Sequence, residues 1–213
     1  MMQAFDNLEE YVLAHISSEH EYLHRLYRAT HTQLLRPRMA SGHLQGTLLR
    51  MLARLIRPKS VLEIGTYSGY SALCMAAGME ADGKILTFEI NDEQEDFTRP
   101  WFEGSPFPAA IEMVIGDVLE ILPGRPDRFD MAFIDGNKRQ YPDYYRLVMS
   151  RLNEGGFIIA DNTLWDGHVI ESAYDADAQT QSIREFNAMV AADPAVEKVI
   201  LPLRDGLTLI RKI

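Results

Sequence analysis

The sequence predicts an α/β protein built on one mostly parallel, seven-stranded sheet, with an antiparallel carboxyl-terminal hairpin and extra amino-terminal helices. Three observations predict it. From residue 59 onwards, apolar runs of strand length alternate with helical patterns, the order that βαβ units require. The first of those runs lies in Val61-Leu-Glu-Ile-Gly-Thr-Tyr-Ser-Gly-Tyr-Ser71. There a strand passes through a glycine turn into a helix, which is how a doubly wound sheet opens a crevice at the carboxyl ends of its strands. The last two runs, 196–201 and 207–213, are joined by Pro202-Leu-Arg-Asp-Gly206, short enough for an antiparallel hairpin.

The elements follow in order. Residues 8–16 and 19–35 carry apolar side chains at helical spacing, the second through Tyr22, Leu23, Leu26 and Tyr27 with Ser18 as its cap. Pro37 ends that helix, and 44–55 forms a third, with Leu48, Leu49, Leu52 and Leu55 as its buried stripe. Residues 60–64 make the first strand and 69–79 its helix; 84–90, 111–115, 130–135 and 157–161 make the next four strands. Further helices are expected at 93–102, where Pro100 should bend or interrupt the helix, at 144–152 and at 180–191. Glu154-Gly155-Gly156 reads as the turn into the fifth strand, and the polar, aperiodic stretch 162–178 as an active-site loop. The chain reads as a single domain over 1–213, a helical cover over 1–57 and an α/β core over 58–213.

Composition narrows the function. With 46% hydrophobic and 24% charged residues, the 213-residue chain has the make-up of an ordinary globular domain. Its net charge of −10 and its lack of any Lys/Arg run argue against nucleic acid as a partner. The acidic excess suits a cationic cofactor or a divalent metal, and serves solubility equally well. Cys74 is the only cysteine, so neither an intramolecular disulfide nor a thiolate metal site is available, and its apolar helix reads as buried packing. The amino-terminal residues 1–10 lack signal-peptide character, and no apolar stretch reaches the roughly 18 residues of a membrane span. A cytoplasmic protein is expected.

The glycine turn indicates the ligand. Gly65 and Gly69 are present, but Tyr67 stands where a dinucleotide fingerprint needs a second glycine against the pyrophosphate. Tyr70-Ser71 is not the Lys-Ser/Thr pair of a phosphate-binding loop. The turn fits a nucleoside-like ligand without a pyrophosphate, and S-adenosylmethionine is the leading candidate. Glu89, closing the second strand, is placed to accept hydrogen bonds from a ribose diol. Asp117 and Val118, after the third strand, border an adenine pocket. Glu63 sits inside a strand covered on both faces, where an unpaired carboxylate is costly. It is expected to be paired, anchoring the glycine turn or the amino-acid end of the cofactor.

A second group supplies oxygen donors. Phe133-Ile-Asp135 and Ile159-Ala-Asp161-Asn162 each run an apolar strand into a carboxylate. If those strands are neighbours, about 5 Å apart, Asp135, Asp161 and Asn162 come within reach of one ion. Two carboxylates and an amide suit Mg²⁺, Mn²⁺ or Ca²⁺ rather than zinc. Lys138 can swing its amine over the same site and serve as a base. Trp165 offers a flat wall for a ring substrate, and Met39 and Tyr67 border the reacting region. None of the histidines at 15, 20, 24, 31, 43 and 168 falls in a recognisable metal-binding pair. Two other classes share parts of this pattern. An NAD-dependent oxidoreductase would share the fold and Glu89, but the chain lacks its glycine pattern and its catalytic arrangement. A non-catalytic nucleoside-binding module would need neither the oxygen donors nor Lys138.

Three stretches carry a resemblance: residues 62–71, Phe-Ile-Asp-Gly-Asn-Lys-Arg-Gln-Tyr at 133–141, and Asp-Asn-Thr-Leu-Trp-Asp-Gly-His-Val at 161–169. With Arg38-Met39, Gln45-Gly46, Phe186-Asn187 and residues 205–212, they make nearly the whole chain resemble the cation-dependent catechol and caffeoyl-coenzyme A class of O-methyltransferases, in its bacterial branch. The resemblance implies the Rossmann-like fold of class I S-adenosylmethionine-dependent methyltransferases and methylation of one hydroxyl of a vicinal diphenol. It also implies a homodimer. It places Asp135, Asp161 and Asn162 as metal ligands, Mg²⁺ foremost, with Lys138 as the catalytic lysine and Glu89 as the ribose partner. Glu63, Gly65, Tyr67 and Ser71 fall on the methionine side of the cofactor, and Met39, Lys138, Asn162 and Trp165 on the substrate side. One departure is Gly136-Asn137, where the family often carries Ala-Asp beside the adenine.

Overall fold

Successive side chains of a strand point to opposite faces, so a strand buried on both sides must be apolar at nearly every position. The computed structural model describes residues 7–213; residues 1–6, part of the stretch read for signal-peptide character, lie outside the described residues. Its strands are β1 (Ser60–Ile64), β2 (Lys84–Glu89), β3 (Ala110–Ile115), β4 (Phe129–Ile134), β5 (Leu152–Ala160), β6 (Val196–Leu201) and β7 (Leu207–Lys212). They form one sheet in the order β3-β2-β1-β4-β5-β7-β6. Strands β1 to β5 are parallel, and β7 runs antiparallel to both β5 and β6. Chain order reverses between β1 and β4, and the crevice of the fold opens at that point.

The helices are α1 (Leu8–His15), α2 (Glu21–Gln33), α3 (Gly42–Ile56), α4 (Tyr70–Ala76), α5 (Glu95–Glu103), α6 (Val118–Ile121), α7 (Tyr141–Arg151) and α8 (Ala178–Ala192). Leu62, Ile64, Ala132, Ile134 and Ile158 pack with Tyr145, Val148 and Phe186 beneath α7 and α8. Val61, Met131, Phe133 and Ile159 pack on the other face with Leu49, Ala53 and Met75 from α3 and α4. Each Val, Leu, Ile, Phe or Met side chain among them taken fully out of water contributes about 1.5–3 kcal/mol. Among the described residues, no helix is long and apolar enough to cross a membrane.

The predicted elements are all present, with local corrections. His20, not Ser18, caps α2, its Nδ1 accepting the Tyr22 N–H at 3.1 Å. Leu55 is 76% exposed, because the buried face of α3 runs through Gln45, Leu49 and Ala53, and Leu55 lies away from it. Helix α5 continues through Pro100, which forfeits one N–H without ending the helix. Strand β5 starts at Leu152 rather than after a turn, absorbing Gly155 at φ +75° where the register with β4 shifts. Helix α7 starts earlier than predicted, with Pro142 in its first turn. The stretch 162–178 holds two short 3₁₀ segments, Trp165–Ile170 and Ser172–Tyr174.

Candidate active site

A cavity of about 690 Å³ lies at the carboxyl ends of β1, β2, β4 and β5. The first wall is the turn after β1. Gly65 has φ +100°, and a Cβ there would lie 2.3 Å from the Asp135 carbonyl oxygen, so only glycine lets this turn pass against the end of β4. The Gly65 and Thr66 amides donate to the Phe88 carbonyl at 3.0 and 3.2 Å, which stitches the turn to β2. Tyr67, at φ +45°, aims its N–H at Glu89 Oε2, 2.7 Å away, while Glu89 Oε1 accepts the Asn91 N–H at 2.9 Å. Glu89 therefore faces the cavity with its carboxylate already oriented. Gly116, Asp117 and Val118 border the same end, and Asp117 caps α6 by accepting the Leu119 N–H at 2.8 Å.

Glu63 is fully buried behind this turn and does not line the cavity. Its oxygens accept from Ser71 Oγ at 2.6 Å and Thr87 Oγ1 at 2.5 Å. Burial pushes its carboxyl up to about 8, with the charges of Asp135 and Glu89 adding to the rise and the two hydroxyls opposing it. It is paired as expected and tethers β1 to α4 and β2. Ser71 also stands off the main cavity, in a small side recess shared with Met39, Ser68 and Asp135. The Ser68 hydroxyl in that recess is buried without a hydrogen-bond partner.

The opposite wall is built on β4 and β5, which pair with Ile134 opposite Ala160. The next residues along, Asp135 and Asp161, therefore come side by side. Asp135 Oδ1 accepts from Lys138 Nζ at 2.6 Å, and the same amine donates to the Tyr141 hydroxyl at 3.2 Å. Tyr141, itself fully buried, donates to the Asp161 carbonyl at 2.9 Å. Asp161 Oδ2 accepts from Gln45 Nε2 at 2.5 Å, and Oδ1 accepts the Asn162 N–H at 2.8 Å. Burial, followed by the charge of Asp135, pushes the Asp161 carboxyl up to about 6. Asn162 lies in the left-handed region at φ +57°, with its side-chain nitrogen 3.3 Å from Asp205 Oδ2. The amide oxygen of Asn162, a residue that lines the cavity, is the side-chain acceptor. Trp165 and Met39 complete this end of the cavity.

Asp135, Lys138, Asp161 and Asn162 are thus brought together as expected, beside Met39, Tyr67 and Trp165. Among the described residues, no group of three or more His, Cys, Asp or Glu side chains is arranged around a metal position; the donor set is two carboxylates and an amide. No local pattern in the sequence singles out Gln45, Tyr141, Arg204 or Asp205. Gln45, Tyr141 and Asp205 lay within the stretches that carried the resemblance, but nothing local indicated what they touch. Arg204, at φ +50°, donates to the Ser41 and Ala40 carbonyls, so the β6–β7 turn ties down the start of α3.

A family model described as O-methyltransferase matches residues 13–213. The chain belongs to the O-methyltransferase family. Caffeoyl-CoA O-methyltransferase of Mesembryanthemum crystallinum is 37% identical over 183 residues, covering 79% of this chain and 71% of its own. The Petroselinum crispum enzyme of that name is 36% identical, covering 79% and 75%. The O-methyltransferase TomG of Streptomyces achromogenes, solved with S-adenosylmethionine, superposes with a TM-score of 0.87 at 29% identity over 95% of this chain and 94% of its own. An O-methyltransferase of Bacillus cereus, solved with S-adenosylhomocysteine, gives 0.89 at 26% identity over 97% of both chains. The expected enzyme class, an S-adenosylmethionine-dependent O-methyltransferase, is borne out.

Proposed function

We propose that this methyltransferase places a divalent cation between Asp135, Asp161 and Asn162 and methylates one hydroxyl of a small vicinal diphenol. The observation that carries the reading is the pair of carboxylates at adjacent strand ends. The charge of Asp135 is one of the causes that lift Asp161 to about 6, and a cation between them would relieve that repulsion. Two carboxylates and an amide oxygen match a hard cation in chemistry and number, so the residues fit the group. The caffeoyl-CoA O-methyltransferases among the relatives support an acceptor of diphenol type. Bound there, a divalent cation would supply Lewis acidity, lowering the pKa of a phenolic hydroxyl.

The remaining work falls to the chain. Glu89 and Asp117 hold the nucleoside end of the methyl donor, with Val118 against the adenine and Gly65 leaving room for backbone approach. Ser71 in its recess takes the methionine end, over a floor held by Glu63. Met39 and Tyr67 exclude water between donor and acceptor, and Trp165 gives the aromatic ring a flat wall. Lys138 accepts or relays the hydroxyl proton. An ammonium has no lone pair for this, so Lys138 must first lose a proton to solvent together with its contact to Asp135 Oδ1; the Tyr141 hydroxyl, which accepts from Nζ, then keeps the neutral amine in place. A cavity of about 690 Å³ suits a small-molecule acceptor beside the donor. The homodimer implied by the resemblance and the cytoplasmic location expected from the sequence belong to the same proposal.

The test is methyl transfer from S-adenosylmethionine to a panel of diphenols and matched monophenols, with Mg²⁺ and then with excess chelator. The expected result is diphenol methylation abolished by chelator and restored by metal. Turnover unaffected by chelator, or equal turnover of monophenols, would overturn the reading.

A further inference from the structure

A glutamine side chain carries two donors and an acceptor, so burying it is costly unless it is paired. Gln45 is 1% exposed and sits in the otherwise apolar inner stripe of α3, with Leu49 and Ala53 on the turns that follow. Its neighbour Gly46 makes the position possible. A Cβ on Gly46 would lie 2.6 Å from Cys74 Sγ and 2.8 Å from the Tyr70 ring, so glycine lets α3 lie close against α4. The start of α3 is in turn tied down by Arg204 through the Ala40 and Ser41 carbonyls. From this fixed helix, Gln45 Nε2 reaches across 116 residues of sequence to Asp161 Oδ2 at 2.5 Å.

The contact completes a set. The Asn162 N–H holds Asp161 Oδ1, Tyr141 holds the Asp161 carbonyl, and Gln45 holds Oδ2. Asp135, with its side chain 21% exposed, is held through its carboxylate by Lys138. The two carboxylates therefore differ in kind, Asp135 being paired with a cationic side chain and Asp161 with neutral donors. A neutral donor fixes the carboxylate plane without cancelling its charge, whereas a Lys or Arg at the same place would compete for it. We infer that Gln45 is a positioning residue for the divalent cation: it acts through Asp161, fixing that carboxylate in one orientation with no cationic side chain bonded to it, and so gives the amino-terminal helical cover a share in metal binding. This rests on the metal reading proposed above.

The experiment measures Mn²⁺ affinity by electron paramagnetic resonance, with S-adenosylhomocysteine affinity measured by calorimetry on the same samples. Gln45→Met keeps volume and removes the donors; Gln45→Asn keeps the amide but is one methylene too short. Both should weaken Mn²⁺ by about 10–100-fold, the usual effect of losing a partner of a metal ligand, while S-adenosylhomocysteine binds within about 3-fold of wild type. Mn²⁺ affinity unchanged in either folded variant would overturn the inference. A uniform loss of both affinities would overturn it too, since that is the mark of general structural damage. Should neither variant fold, the wild type decides. The Gln45 side-chain amide resonance should shift on Mg²⁺ titration, and a resonance that does not move would overturn the inference. Failure of the wild type to bind Mn²⁺ at all would instead overturn the metal reading, and the inference with it.

Discussion

The two ends of the cavity are built differently. The end proposed to hold the nucleoside comes from consecutive strand–turn units, and the end opposite is the one proposed to hold the acceptor. β1 runs into Gly65 and Tyr67, β2 ends on Glu89, β3 leads to Asp117, and the bonds among them are short-range or ladder-like. The acceptor end is assembled from distant parts of the chain: Met39 and Gln45 from the helical cover, Asp135 and Lys138 after β4, Asn162 and Trp165 after β5, Asp205 from the last hairpin. The first end is fixed by the sheet itself. The second depends on tertiary contacts such as Gln45 to Asp161 and Asn162 to Asp205. An end fixed by the sheet beside an end assembled from loops and helices would let one donor serve acceptors that vary with the loops.

Substitutions at each end should separate these roles. The largest effect is expected at the acceptor end. Asp161→Ala should lower metal-dependent turnover by on the order of 10³-fold, the several kcal/mol that a lost Lewis acid represents, with S-adenosylmethionine affinity nearly unchanged. Steady-state kinetics beside calorimetry checks this, and an equal loss of donor affinity would erase the distinction between the two ends. At the nucleoside end, Gly65→Ala puts a Cβ against the Asp135 carbonyl at φ +100°. It should cost on the order of 3 kcal/mol in urea unfolding and weaken the donor as well. Lys138→Met should reduce kcat by about 10²-fold, the usual share of a general base, with little change in donor binding. A kcat close to that of the wild type in this variant would remove Lys138 from that role.

The smallest effect concerns Glu63, beneath the nucleoside end. Its carboxyl is raised from an ordinary 4.5 to about 8 in the folded protein. The folded state therefore holds this proton more tightly than the unfolded chain does. The resulting stability is complete below about 4.5 and is lost as pH rises through about 8. Glu63→Gln has no such proton to lose. Its stability relative to wild type should rise between pH 5 and 8 by at least about 1 kcal/mol, and urea unfolding at several pH values reads the difference. A constant difference across that range would mean that Glu63 is already ionised.

The same contrast explains what was legible in the sequence. The glycine turn, the strand-end acids Glu89, Asp135 and Asp161, and the final hairpin announce themselves through local pattern, because strand ends converge wherever a parallel sheet forms. Lys138 and Asn162 follow from their spacing to those acids. Gln45 and Asp205 do not, since their partners lie on other elements and only the packed helix or hairpin brings them near. Nor does Tyr141, whose hydroxyl meets the Asp161 carbonyl only because α7 begins under the end of β5. Leu55 and Ser18 failed for smaller reasons. Leu55 lies off the buried face of α3, and α2 begins two residues later than the apolar period indicates, so His20 rather than Ser18 stands at its cap.

The central claim is the cation between β4 and β5. Crystals grown with S-adenosylhomocysteine and Mn²⁺, measured at the manganese absorption edge, test it most directly. The account predicts one anomalous peak per chain, coordinated by Asp135, Asp161 and Asn162, with Gln45 still on the outer oxygen of Asp161 and Lys138 turned away from Asp135. A peak bound by other residues, or none at a Mn²⁺ concentration that supports turnover, would contradict it.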